Sequence, residues 1–329
     1  MAGKRILWLQ VWGLAAIQGA ISLTWVIYGL YLPDLLTQFG FAASLASALL
    51  ILENILAAVM EPLMGSLSDR AQRFVTTSFP FISVGLVVAS LCFIAIPGTL
   101  TFVNPEGLMR GLLPVVLVAW AIAMTIFRSP AMSLLGRYAF ATELPLAASV
   151  LTLVGGVAGA MGPLASQFIL KMGAIAAFGI GSFVLLAAAA ALRATQPVRK
   201  IQSATDDEVM PSVDCAKLSW LGLACAFGTG IGVGLGFRLM LATFPKLLEV
   251  RVPDANVNLL TGCIFLALAL TALPAGKVGT WLGNRIAMLL GLGVMAGLMS
   301  TLPLANNAIV IGGMAALWGA AFSLVANGT

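Results

Sequence analysis

The chain has 329 residues, 60% of them hydrophobic and only 9% charged, and a mean hydropathy of +1.06. Soluble domains carry about a quarter charged residues, so a water-soluble enzyme or binding module is excluded. The net charge of +5 comes without a single histidine, which leaves any proton chemistry to carboxylates. The basic excess suits membrane topology better than nucleic acid, because Lys and Arg gather in cytoplasmic loops.

In chain order, "MAGKRILWLQVWGLAAIQGA" starts basic and turns apolar as a signal peptide does, but its apolar run continues to Tyr31. That is too long for a signal core, so it is read as an uncleaved first span. Apolar stretches long enough to cross about 30 Å of hydrocarbon predict helices over 7–33, 42–65, 77–97, 112–134, 145–169, 173–193, 219–245, 258–275, 285–304 and 307–327. The short alternating segments of a membrane β-barrel are absent. With the N-terminus inside, one set of connections holds Lys4, Arg5, Arg70, Arg73, Arg137, Arg193, Arg199, Lys200, Lys217, Lys277 and Arg285. The other holds Arg110, Lys171, Lys246 and Arg251. This asymmetry places the N-terminus in the cytoplasm. The expected location is a bacterial-type inner (plasma) membrane.

The mixed-charge segment Arg193–Lys217, with Pro197 and Pro211, reads as a flexible linker. It divides the chain into a six-helix bundle at 1–193, a cytoplasmic linker at 194–218 and a partial four-helix bundle at 219–329. The bundles repeat one another. "YLPDLL" (Tyr31–Leu36) is matched by "TFPKLL" (Thr243–Leu248), and "GSLSDRAQ" from Gly65 by "GKVGTWLG" from Gly276, at nearly one offset. A parallel duplication of this kind is a known plan of secondary transporters.

The stretch "GSLSDRAQR" resembles the loop signature between the second and third helices of the major facilitator superfamily, with Gly65, Asp69, Arg70 and Arg73 in frame. Gln72 and Phe74 depart from it. "GGVAGAMGPLAS" (Gly155–Ser166) is similar to that superfamily's Gly-Pro helix motif. The resemblance implies an all-α polytopic membrane protein of two bundles that moves a small solute by alternating access. It also implies that the Gly65–Arg73 loop latches the halves on the cytoplasmic side. From the residues themselves, Glu143 on an adjacent loop is the expected acid for Arg70 and Arg73 at this gate, and Glu61, within a turn of the cytoplasmic boundary, is expected to have a gate or structural role. The superfamily has twelve helices; by that count the last two are missing here, or a second chain or complex completes the C-terminal bundle.

Charges inside the apolar runs supply the candidate chemistry. Glu53 lies near the middle of the second span. A carboxylate costs most to keep charged at that depth, which makes it the expected proton-coupling site. Arg128 in the fourth span is expected to pair with Glu53 or Glu61, or to hold a substrate by forked hydrogen bonds. Asn54 is expected to bond to a neighbouring helix, and Arg238 to act on substrate or to snorkel outward. Asp34 and Lys246 are candidates for a pair across the outer mouth. Trp25, Tyr28, Tyr31, Trp120 and Trp318 could stack on a ring or pack within the bundle. The glycines of "GTGIGVGLGF" (Gly228–Phe237) sit in an apolar span with no preceding strand, which excludes a phosphate loop and predicts close helix packing. Cys92, Cys215, Cys225 and Cys263 share no paired spacing and read as small hydrophobes. No metal site, cofactor or nucleic-acid partner is expected. The reading is therefore a transporter and not an enzyme, with protons, a small solute and lipid as partners. The alternative is a non-transporting scaffold or pigment-delivery protein on the same fold, or an inactive fragment.

Overall fold

The computed structural model describes residues 6–42, 44–71, 79–102, 110–139, 142–195, 220–253, 255–305 and 307–328. Its elements are helices throughout: α1 (Trp8–Gln38), α2 (Ser44–Ala71), α3 (Phe79–Phe102), α4 (Leu112–Ser133), α5 (Leu135–Tyr138), α6 (Leu144–Lys171), α7 (Ala174–Thr195), α8 (Trp220–Arg251), α9 (Val257–Leu282), α10 (Asn284–Thr301) and α11 (Ala308–Gly328). Short α5 continues α4, and among the described residues ten helices are long and apolar enough to cross a membrane. Many large apolar side chains face outward, such as Trp281 at 92% and Ile309 at 84% exposure. Surfaces of this kind suit hydrocarbon and not water. A helix satisfies its own backbone there without solvent.

Several helices outrun the apolar stretches that announced them. α8 was expected to stop at 245 and continues to Arg251, and α9 was expected to stop at 275 and continues to Leu282. Pro245 and Pro274 lie inside these helices. Hydropathy falls at Lys246 and Lys277, but a polar side chain does not break the backbone ladder. Terminal turns therefore extend into the interfacial zone.

Two of the described connections are short and locally determined. Asn256 caps α9, its side-chain oxygen accepting from the Leu259 amide at 3.0 Å. Gly283 joins α9 to α10 at φ +81°, a left-handed conformation that other residues rarely adopt.

Two apolar clusters form. One is built by α1–α7 around Tyr28, Phe93, Trp120 and Phe178, and the other by α8–α11 around Phe244 and Trp318. In the first, α1 packs on α6 and α7, α3 on α4 and α7, and α2 on α4. In the second, α9 packs on α11, and α11 also on α10. The linker expected at 194–218 falls almost wholly outside the described residues.

The clusters meet along α6 and α9, where small residues line both helices. A Cβ on Gly156 would stand 3.1 Å from the Ala269 Cβ, and one on Gly276 only 2.7 Å from the Ser149 Cβ. This backbone approach is the use of small residues in membrane helices. A polar node ties in a third helix. The Thr152 hydroxyl donates to Asn327 Oδ1 at 2.7 Å, and Asn327 Nδ2 donates to the Ala272 carbonyl at 2.9 Å.

α8 is the opposite case and corrects one expectation. Its glycines predicted close packing, yet a Cβ added to Gly228, Gly230, Gly232, Gly234 or Gly236 meets nothing within 4 Å among the described residues. Glycine permits close approach; it does not supply the partner.

Candidate functional site

Glu53 sits about a third of the way along α2 and is 2% exposed. The Tyr28 hydroxyl on α1 donates to Glu53 Oε1. The other carboxylate oxygen, Oε2, has no partner among the described residues. A buried polar atom without a partner is costly and singles out this group. Aromatic rings hold Tyr28 in place: its ring centroid is 4.5 Å from that of Trp120, and Trp120 lies 4.9 Å from Trp25 and 5.1 Å from Phe93. A ring cluster immobilises the phenol, so the hydroxyl points at the carboxylate without a large loss of side-chain freedom.

Residues four and eight positions beyond Glu53 share its helix face. Those residues, Ala57 and Glu61, open onto a cleft of about 470 Å³. Ala58 and Pro62 complete its α2 wall, Ser129 comes from α4, and Phe227, Gly230 and Ile231 come from α8. The cleft thus lies between the two clusters. On its wall Arg128 Nη1 donates to Glu61 Oε1 at 3.0 Å, with side chains 42% and 34% exposed. At such exposure an ion pair contributes about 0–1 kcal/mol, so it can be exchanged for another partner. Gly65 faces the same strip of α4: a Cβ there would stand 2.9 Å from Ser129 Oγ, so glycine allows α2 and α4 to close on one another.

Arg238 completes the charge set. It lies seven residues beyond Ile231, on the same face of α8. As the second and seventh of successive crossings, α2 and α8 run in opposite directions. Stepping from Glu61 to Glu53 and from Ile231 to Arg238 therefore moves the same way, by about 12 and about 10 Å. Arg238 is close enough for its charge to act on Glu53 and to feel that of Arg128. It is exposed and, among the described residues, makes no hydrogen bond or ion pair.

Other expected residues are placed differently. Asn54 was expected to bond across to another helix, but its Nδ2 donates to the Leu50 carbonyl one turn back in α2. From an exposed position, its own backbone is the nearest acceptor. Glu143 occupies the N-cap of α6 without a side-chain capping bond. The backbones of Asp69 and Arg70 end α2, while their side chains and all of Arg73 lie outside the described residues, so the proposed latch pairs are not seen. Asp34 and Lys246 form no ion pair among the described residues. Asp34 lines a separate open groove of about 600 Å³ with Tyr31 and Gln38, between α1, α3 and α7 and sharing no lining residue with the charged cleft. Cys92 and Cys263 are free thiols.

Sequence reasoning did not find the bond from Tyr28 to Glu53 or the node of Thr152 and Asn327. An amide inside an apolar span was the available signal for Asn327; nothing in the spacing of Tyr28 pointed to Glu53.

The family model of the Major Facilitator Superfamily matches residues 14–329. The chain belongs to the major facilitator superfamily. Among solved structures it is similar to the proton:xylose symporter XylE bound to 6-bromo-6-deoxy-D-glucose, at 15% identity and a TM-score of 0.67, covering 98% of this chain and 80% of that one. That likeness is one of fold. No curated protein matches the chain's sequence. The protein is an integral multi-pass membrane protein and a secondary transporter, and such proteins are not enzymes.

Proposed function

We propose that the protein carries a small solute by alternating access and couples this movement to protons. The observation that carries the reading is the buried Glu53, held by Tyr28 on one oxygen and unpartnered on the other among the described residues, about two turns along α2 from Glu61 on the wall of a cleft between two helix bundles. An intramembrane carboxylate of this kind marks a proton or ion path. Glu53 is the proton site, Arg128 and Glu61 form the breakable pair on the cleft wall, and the stretch Gly65–Arg73 is the cytoplasmic latch. The bundles 1–193 and 219–329 rock about the seam of α6 and α9. The N-terminus is cytoplasmic, in keeping with the distribution of basic residues.

Proton uptake neutralises Glu53 and removes its attraction for Arg238, which favours one arrangement of the bundles; release favours the other. A ligand shifts such an equilibrium only through its difference in affinity for the two states. The test is solute uptake into proteoliposomes loaded with a pH-sensitive dye. Wild-type protein should show solute-dependent proton entry, and Glu53→Gln should lose it by at least about a hundredfold while remaining folded. Uptake by Glu53→Gln that still follows the pH gradient would refute the assignment.

A further inference from the structure

The charges around the cleft specify the solute as well as the proton. Among the described residues, two cations and two acids lie along the cleft side of α2, α4 and α8: Glu61 lines the cleft, Arg128 from α4 bonds to it, and Glu53 and Arg238 stand about two turns further along α2 and α8. Tyr28 from α1 is the other titratable group facing Glu53. Arg128 and Glu61 cancel at 3.0 Å. That leaves Arg238 against Glu53. When Glu53 takes a proton from water on its free oxygen, carboxylate becoming carboxylic acid, one positive charge remains without a counter-charge, on an arginine that makes no ion pair among the described residues.

The walls narrow the class further. Apart from Glu61 and Ser129, the residues lining the cleft are apolar: Ala57, Ala58, Pro62, Phe227, Gly230 and Ile231. A sugar needs several hydrogen-bonding groups around its ring, because each buried hydroxyl left unpaired weakens binding. These walls suit a compact apolar body, and a volume of about 470 Å³ holds a small molecule. A guanidinium is the group best matched to a carboxylate or sulfonate in forked geometry.

We propose that the solute is an organic monoanion with a small apolar body, its acid group bound by Arg238, carried together with the proton on Glu53. The pair crosses with no net charge, and the proton leaves Glu53 to water on the far side. This inference rests on the proton-coupled carrier reading.

The experiment uses dye-loaded proteoliposomes and a panel of probes: benzoate, pyruvate and benzenesulfonate as monoanions, xylose and glucose as neutral solutes, and choline as a cation. Benzenesulfonate has no neutral form to leak through lipid, so any proton entry it drives passes through the protein. One or more monoanions should drive proton entry. Arg238→Gln should raise their KM by about 10- to 100-fold with kcat little changed, and Arg238→Lys should recover part of that loss. Proton entry driven by a sugar or by choline, with none driven by the monoanions, would overturn the anion assignment and leave the carrier reading intact. Proton entry with no probe at all would count against the carrier reading and this inference together. A monoanion response unchanged in Arg238→Gln would overturn the role given to Arg238.

Discussion

The two clusters approach each other on two sides, and the sides are built differently. Along α6 and α9, Gly156, Ser149, Ala269 and Gly276 bring backbones together, and Thr152 and Asn327 pin three helices with neutral hydrogen bonds. Between α2, α4 and α8 there is a cleft with a half-exposed ion pair on its wall, a buried carboxylate about two turns further along α2, and a helix on whose glycines an added Cβ would meet nothing within 4 Å among the described residues. The first side has the steric fit of a hinge that keeps its contacts. The second has charges with more than one possible partner, as an opening and closing surface requires.

That contrast can be broken at its strongest point. Gly276→Leu inserts a branched side chain where even a Cβ stands 2.7 Å from Ser149. Overpacking of this kind costs about 1–3 kcal/mol or more, and the purified protein should melt clearly earlier and lose monodispersity on size-exclusion chromatography. Gly230→Leu, on the open side, should melt within a degree or two of wild type. Equal damage from both would erase the distinction between seam and cleft.

A smaller effect sharpens the role of the ion pair. Arg128→Gln and Glu61→Gln each leave one charge unpaired, and each should reduce uptake by about tenfold. The double variant should recover part of this, since the two residues touch and their effects do not add. Strictly additive losses, measured as initial uptake rates, would mean that the pair does not act as a unit.

The smallest effect belongs to the polar node. Asn327→Ala removes two hydrogen bonds on the seam, and interhelical bonds in membranes average about 0.6 kcal/mol each. A stability loss on the order of 1 kcal/mol should appear in reversible unfolding, with the apparent KM for solute unchanged.

Much of the scaffold was legible because the bilayer imposes one length on every span. Apolar runs identified each crossing, and errors fell at ends such as Arg251 and Leu282, where interfacial polar residues lower hydropathy without ending the helix. Glu53 was legible by its cost in hydrocarbon alone. Its partner was not, because Tyr28 meets it across two helices and no periodicity encodes that contact. Asn54 misled for a related reason: an amide announces a need for a hydrogen bond without saying where it is met. The α8 glycines misled because small residues record that close packing is possible, and α6 shows the same composition with a partner in place.

Proton coupling as proposed turns on the protonation of one side chain, and infrared difference spectroscopy between acidic and alkaline pH on the reconstituted protein observes it directly. Acidification should produce the carbonyl stretch of a protonated carboxylic acid shielded from water. That band should vanish in Glu53→Gln and shift in Tyr28→Phe, which removes the hydroxyl donating to it. A band that persists unchanged in Glu53→Gln, or no such band in wild type at any pH where solute uptake responds to protons, would contradict the proposal that Glu53 carries the proton.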